Sequence, residues 1–195
     1  MEVSGLLGTL DQEAIQDGMH KRLPRAADCF RRQARRQPYL GGALTLQYRV
    51  AVDGSVKHAR MTASTIGSVA VERCVMTELS QVVFPKPRGG EAEFSYPLSF
   101  QARMAVIAWD PAMVSEELGK SREALLSGAE KGETLQPPAG LMITFYVDHR
   151  GRVVSAGMVA DEPVEEAFAD RFVDNLKQVK FVGPQSRYAK VSHRW

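Results

Sequence analysis

The amino-acid sequence predicts an α+β protein of two tandem domains, residues 1–103 and 104–195. Each is expected to be a three-stranded antiparallel sheet packed with two helices. Two observations carry this expectation. The first is an internal repeat. The stretch Leu44–Pro87 recurs at Leu141–Pro184, an offset of 97 (141 − 44), without a gap and with 13 of 44 positions identical. The identities fall on apolar and turn positions: Leu44/Leu141, Val50/Val147, Gly54/Gly151, Val56/Val153, Met61/Met158, Leu79/Leu176, Phe84/Phe181 and Pro87/Pro184. Those are the positions a shared fold holds constant, and two copies are too few for a solenoid. The second is a change of hydrophobic period along each copy, from steps of three or four residues to steps of two and back.

The elements follow in order. Thr9 or Asp11 can cap a helix, with Gln12 three residues after Thr9 as a capping box requires. Ile15, Met19, Leu23, Ala27, Phe30 and Ala34 then form one helical stripe to about Arg36. Pro24 inside it predicts a kink or a split, and Gln37-Pro38 ends it. From Leu44 to Val50 the apolar residues alternate, which reads as a strand. Asp53-Gly54 is a hairpin turn signal, and Val56, Ala59 and Met61 return, with an imperfect alternation that suggests a bulge. Ser64-Thr65 is expected to cap the next helix, whose apolar face is Val71, Val75 or Cys74, and Leu79. Phe94, Tyr96, Leu98 and Phe100 alternate again as a third strand. Pro97 within it cannot donate to a ladder and marks it as an edge strand.

The second copy repeats the order. A helix is expected from Pro111 to about Ala129 and a loop from Gly132 to Gly140. Strands follow at Leu141–Val147 and Val153–Val159 around Arg150-Gly151. A helix over Glu162–Lys177 and a last strand over Tyr188–Trp195 complete it. Met104–Asp110 is either an extension of the third strand or the connector between domains.

Composition is that of an ordinary globular chain, with 44% hydrophobic and 25% charged residues. A net charge of +2 does not by itself argue for nucleic acid. No apolar run approaches the ~18 residues of a membrane span. The first residues lack a basic region followed by an apolar core, so no signal peptide is expected there. The chain is then either cytoplasmic or a piece of a larger exported or anchored protein.

Several motifs stand in a fixed order: Leu10–Ile15, Cys29-Phe30, Pro38–Gly42, Val50–Val56, Glu72-Arg73-Cys74, Phe84–Gly90 and Tyr96–Phe100. In that order, from about Gly5 to Gln101, the chain resembles the AgmX/PglI C-terminal domain, a family similar to the C-terminal domain of TonB. The second copy keeps the strand–turn–strand–helix skeleton. It has Arg150-Gly151 for Asp-Gly and Arg171 where the first has Cys74, so it reads as a diverged TonB-like copy. The resemblance implies a periplasmic, non-enzymatic protein–protein interaction module of an envelope-spanning machine. Such modules serve gliding motility or TonB-like energy transduction and bind a protein partner by adding its strand to a sheet edge. It also implies a disulfide between Cys29 and Cys74, which an oxidising compartment permits; two buried free thiols are the plainer alternative. A cytoplasmic regulatory or scaffold protein of the same fold is the alternative reading of the whole.

The partner-binding candidates are Phe94, Tyr96, Leu98 and Phe100 on the third strand, where an exposed edge offers unpaired N–H and C=O groups. If the second domain covers that edge, Tyr188–Trp195 becomes the free one. Arg31, Arg32, Arg35 and Arg36 close the first helix. They read as a solvated helix end stabilised by the helix dipole, or as a site for an anionic ligand or peptidoglycan. No aromatic platform interleaves with them, so nucleic acid is not expected as a partner. His20, His58, His149 and His193 lack ligand spacing, and no metal or cofactor is expected. Asp53 and Asp148 read as turn residues. No nucleophile–base constellation, paired-carboxylate motif or phosphate-cradling loop is present, so neither an enzyme nor a small-molecule substrate is expected.

Overall fold

The computed structural model describes residues 8–130, 132–184 and 187–195; residues 1–7, at the start of the first expected domain, lie outside them. The described chain is α+β, with six helices and two sheets. Helix α1 (Gln12–His20) starts at Asp11, whose side chain accepts from the Ala14 N–H at 2.8 Å. The long stripe is split, not merely kinked: α2 (Leu23–Ala34) restarts with Pro24 in its first turn. Proline sacrifices no helical hydrogen bond at that position.

Strands β1 (Gly42–Val50) and β2 (Val56–Ser64) form a hairpin, and α3 (Val69–Leu79) and β3 (Ala92–Phe100) follow. The first sheet has the order β2-β1-β3 and is antiparallel throughout. The cap of α3 is Ser68, which accepts from the Val71 N–H, and not Ser64-Thr65. Those two residues are engaged elsewhere: Ser64 Oγ donates to the Glu72 carboxylate at 2.6 Å, and Thr65 Oγ1 accepts from the Ala43 N–H. Leu44, Leu46, Tyr48 and Val50 are buried beneath the helices. Each such side chain stabilises by about 1.5–3 kcal/mol relative to exposure.

The rest of the chain contributes β4 (Ile107–Ala108), α4 (Ala112–Lys120), α5 (Arg122–Leu125), β5 (Met142–Val147), β6 (Val153–Val159), α6 (Glu166–Leu176) and β7 (Ala189–Arg194). The helix expected over Pro111–Ala129 breaks at Ser121. Helix α6 begins at Glu166, downstream of Pro163, and not at Glu162. The second sheet is four-stranded and mixed, with the order β4-β7-β5-β6, in place of the expected three-stranded antiparallel sheet. The connecting segment supplies the extra strand: β4 runs parallel to β7. The Ile107 and Trp109 N–H groups each donate at 2.9 Å, to the Tyr188 and Lys190 carbonyls. Pairing them satisfies an edge that would otherwise be bare.

The 97-residue offset persists in the ladders. Leu46 pairs with Met61 and Ile143 with Met158; Tyr48 pairs with Ala59 and Phe145 with Ala156; Val50 pairs with Ala92 and Val147 with Ala189. A bulge precedes Val50 in one hairpin and Val147 in the other. The two turn glycines show why they recur. Gly54 and Gly151 have φ of +91° and +78°, and a Cβ there would stand 2.1 and 1.8 Å from the Phe84 and Phe181 carbonyl oxygens. Their own carbonyls accept from the Phe84 and Phe181 N–H groups at 2.9 Å. A side chain at either position would meet both left-handed strain and backbone.

The sheets differ in what covers them. Strand β1 alternates between buried and more exposed residues, whereas β5 is buried on both faces. On one face of the second sheet Phe145 lies in a core of its own with Phe172 and Leu176 of α6. The other lies against the first half of the chain. Tyr146, on β5, belongs to the first core, and its hydroxyl donates to the Gly41 carbonyl at 2.8 Å and accepts from the Gly41 N–H at 3.2 Å.

Candidate functional site

Strand β3 lies at the edge of its sheet because β1 fills the centre and β2 the far side. Pro97 faces Thr45 in the β1 register. Having no N–H, it fits only where the backbone groups of β3 point away from β1. By alternation, the outward groups are those of Glu93, Ser95, Pro97 and Ser99. The equivalent parity is visible in the second sheet, where the Trp195 N–H, 97 residues after Leu98, donates inward to the Leu141 carbonyl. Among the described residues the outward groups of Ser95, Pro97 and Ser99 have no hydrogen-bond partner, whereas Glu93 is engaged by the parallel bridge between Gly8 and Ala92. Only the start of the strand is covered, where the Gly8 N–H donates to the Glu91 carbonyl at 2.6 Å.

The side chains named from the alternation face the other way. Phe94, Tyr96, Leu98 and Phe100 are half-buried and pack on the first core. Phe100 stacks on Phe30 with ring centroids 4.7 Å apart, Phe94 stacks on Tyr48 at 5.3 Å, and Phe94 meets Phe84 edge-on at 5.2 Å. What β3 presents is its backbone edge, flanked by this apolar row on one face and by Glu93, Ser95, Pro97 and Ser99 on the other. The Tyr48 hydroxyl is pushed up by burial and donates to the Leu79 carbonyl at 3.2 Å.

The second sheet does not cover β3. It abuts the Tyr39–Gly41 corner, the β2–α3 loop and the edge of β2. The other candidate edge, Tyr188–Trp195, is shorter, and its first two outward carbonyls are taken by β4.

Cys29 and Cys74 are joined in a disulfide that ties α2 to α3, as the resemblance implied. The four arginines do not converge. Arg31 pairs with Asp28 at 2.5 Å; Arg32 turns onto the disulfide, with Nη2 3.3 Å from Cys74 Sγ; Arg35 and Arg36 are exposed beyond the helix end. Asp53 and Asp148 are turn residues. Asp53 Oδ1 accepts from the Ser55 N–H, and Asp148 Oδ1 accepts from the Arg150 and Arg152 N–H groups, each at 2.9 Å. Burial acts to raise the Asp148 carboxyl, but the backbone and guanidinium of Arg152 and the Arg150 N–H outweigh it and hold it below its ordinary value. Among the described residues no cluster of His, Cys, Asp or Glu is placed to hold a metal, and no helix is long and apolar enough to cross a membrane.

Two features escaped sequence reasoning. One is the polar seam between the sheets, which includes Tyr146, Lys190 and Glu72. Burial lowers the Lys190 ammonium, whose Nζ donates to the Gly41 carbonyl at 2.7 Å. The other is a groove of about 240 Å³ along that seam, walled by residues including Met61, Met76, Met158 and Val164. Nothing in a single sequence marks residues far apart in the chain as neighbours. No family model, no curated protein and no solved structure matches the chain.

Proposed function

We propose that the protein is a non-enzymatic interaction module of the bacterial envelope, built from two TonB-C-terminal-like units over residues 1–103 and 104–195. In this reading it binds a protein partner by strand addition along β3. The observation that carries it is the run of outward backbone groups from Ser95 to Ser99, without a partner among the described residues, on a nine-residue edge strand. Soluble proteins usually blunt such an edge, because unpaired N–H and C=O groups template pairing with another chain. Among the described residues this edge is interrupted by Gly8 at its start and by the missing donor at Pro97. The ladders offset by 97 residues support the two-unit reading, and the disulfide supports an oxidising compartment such as the periplasm over the cytoplasmic alternative.

The mode specifies the partner segment. It is extended, about five residues or more, and alternating. Its inward side chains are apolar, to continue the Phe94/Tyr96/Leu98/Phe100 row, and its backbone skips one bond at Pro97. The test is a proline scan of the edge against a partner recovered from envelope extracts, with a strand peptide as competitor. Ser95→Pro and Ser99→Pro each delete one outward N–H and leave the β1 ladder intact; together with the native Pro97 they leave no outward donor from Ser95 to Ser99, so the double substitution should abolish capture while Ser95→Ala retains it. A proline at Leu98 is uninformative, because that N–H points into the sheet. Capture that survives both substitutions, or that the peptide fails to compete, refutes the reading.

A further inference from the structure

Glu72 is a buried carboxylate of the seam that forms no salt bridge among the described residues, although the Lys190 ammonium stands near enough to feel its charge. It lies on α3, is 5% exposed, and sits where α3, the end of β2 and the edge strand β6 meet. Its Oε1 accepts from the Ser64 hydroxyl at 2.6 Å; its Oε2 accepts from the Met158 N–H of β6 at 3.0 Å. The Gly67 and Ser68 N–H groups add to these. The opposing residue on β6 is Gly157, where a Cβ would stand 2.4 Å from both carboxylate oxygens. The second sheet therefore has a gap shaped for this carboxyl group, and the carboxyl group closes an outward N–H of that sheet's edge strand.

The charged groups around it are committed elsewhere. Arg60 on β2 donates to the Gln47 side chain and the Asp161 carbonyl. Arg73 on α3 pairs with Glu166 and Asp170 of α6. Lys190 on β7 donates to Gly41, and the Tyr146 hydroxyl on β5 is engaged there too and stays neutral. Glu162 lines the groove from the β6–α6 loop, adding negative charge. Glu72 is among the residues that line the groove.

We propose that the Glu72 carboxyl group is a protonation-controlled latch: neutral, it holds β6 and the second sheet against the β2–α3 corner, and ionised, it weakens that hold. Hydrogen bonds from Ser64, Met158, Gly67 and Ser68 favour the ion, but burial disfavours it more and pushes the carboxyl up to about 7 from 4.5. When the seam opens, Glu72 regains water and its ordinary acidity. A carboxyl raised in the closed state contributes its full closure below the open-state value, and that contribution fades as pH rises towards the closed-state value. The limiting shift towards the open seam is 10 raised to (7 − 4.5), about 300-fold. Between pH 5.5 and 8.0 the same expression gives roughly thirty-fold.

The experiment is amide hydrogen exchange, read at Met158 and its β6 neighbours at pH 5.5 and 8.0, with rates divided by the intrinsic rate at each pH. The wild-type protein is expected to lose roughly thirty-fold in protection at these amides, with far smaller changes in β1 at the centre of the first sheet. Glu72→Gln keeps the shape without the titration and should give equal protection at both pH values. Ser64→Ala removes a bond that favours the ion and should move the loss of protection to higher pH. A flat wild-type profile, an undiminished slope in Glu72→Gln, or an unmoved midpoint in Ser64→Ala each overturns the proposal.

Discussion

Reducing the Cys29–Cys74 disulfide cuts the covalent tie between α2 and α3 while leaving both sulfurs in place, so no cavity confuses the result. The bond closes a loop of sequence separation 45. In the chain-entropy model, releasing a loop of that length from the unfolded chain costs the folded state about 4 kcal/mol at 25 °C. With a urea slope of about 2 kcal/mol/M, the midpoint falls by about 2 M. The assay is urea denaturation with and without a phosphine reductant, followed by far-UV circular dichroism and by tryptophan fluorescence. Both tryptophans, Trp109 and Trp195, pack on the second core, so the fluorescence reports on the half that lacks the disulfide. The two probes are expected to shift together, because Tyr146 of β5 is buried in the first core and bonded to Gly41. A loss below about 1 kcal/mol would refute the loop-entropy reasoning for this bond. A midpoint shift confined to circular dichroism would refute the coupling of the two cores.

Other expectations follow from single side chains. Gly151→Ala places a Cβ against the Phe181 carbonyl in a left-handed turn and should cost about 3 kcal/mol by thermal denaturation; Gly54→Ala, at the equivalent position, should cost a similar amount. Tyr146→Phe leaves the Gly41 N–H without its partner and should cost about 1–3 kcal/mol; an unchanged Tm would show that the seam contributes no stability through this contact. Asp148→Asn tests linkage with the opposite sign to Glu72. The Asp148 carboxyl is held low in the folded state, so its contribution is present above the unfolded-state pKa and fades as pH falls through the folded one. Stability of the asparagine variant should therefore decline less steeply below pH 4, as read by melting temperature across pH 2–6.

Much of the candidate site was legible because it is local. Pro97 announced an edge strand from its own chemistry, and β3 lies at an edge. The alternation of Phe94, Tyr96, Leu98 and Phe100 announced a two-faced strand. Alternation alone, however, does not say which face is buried, and those rings turned inward onto Phe30, Tyr48 and Phe84. The expected cap of α3 lies three to four residues before the observed Ser68 because Ser64, Thr65 and Ser68 are chemically equivalent as caps. Ser64 was drawn away by a buried carboxylate that no local pattern reveals.

Sequence by itself determined the paired hairpins, their shared register and the turn glycines, because these obey short-range rules: alternation, left-handed turns and the spacing of a repeat. Tertiary structure alone decided how the two sheets meet. It put β4 on the edge of β7, left Ser95–Ser99 of β3 without a partner strand among the described residues, and brought Glu72 of one half against Gly157 and Met158 of the other. Those outcomes depend on which backbone groups find partners across long chain separations. The two copies, alike in their ladders, thereby became unequal: the central strand β5 of one sheet is buried on both faces, and β3 of the other keeps outward groups without a partner among the described residues.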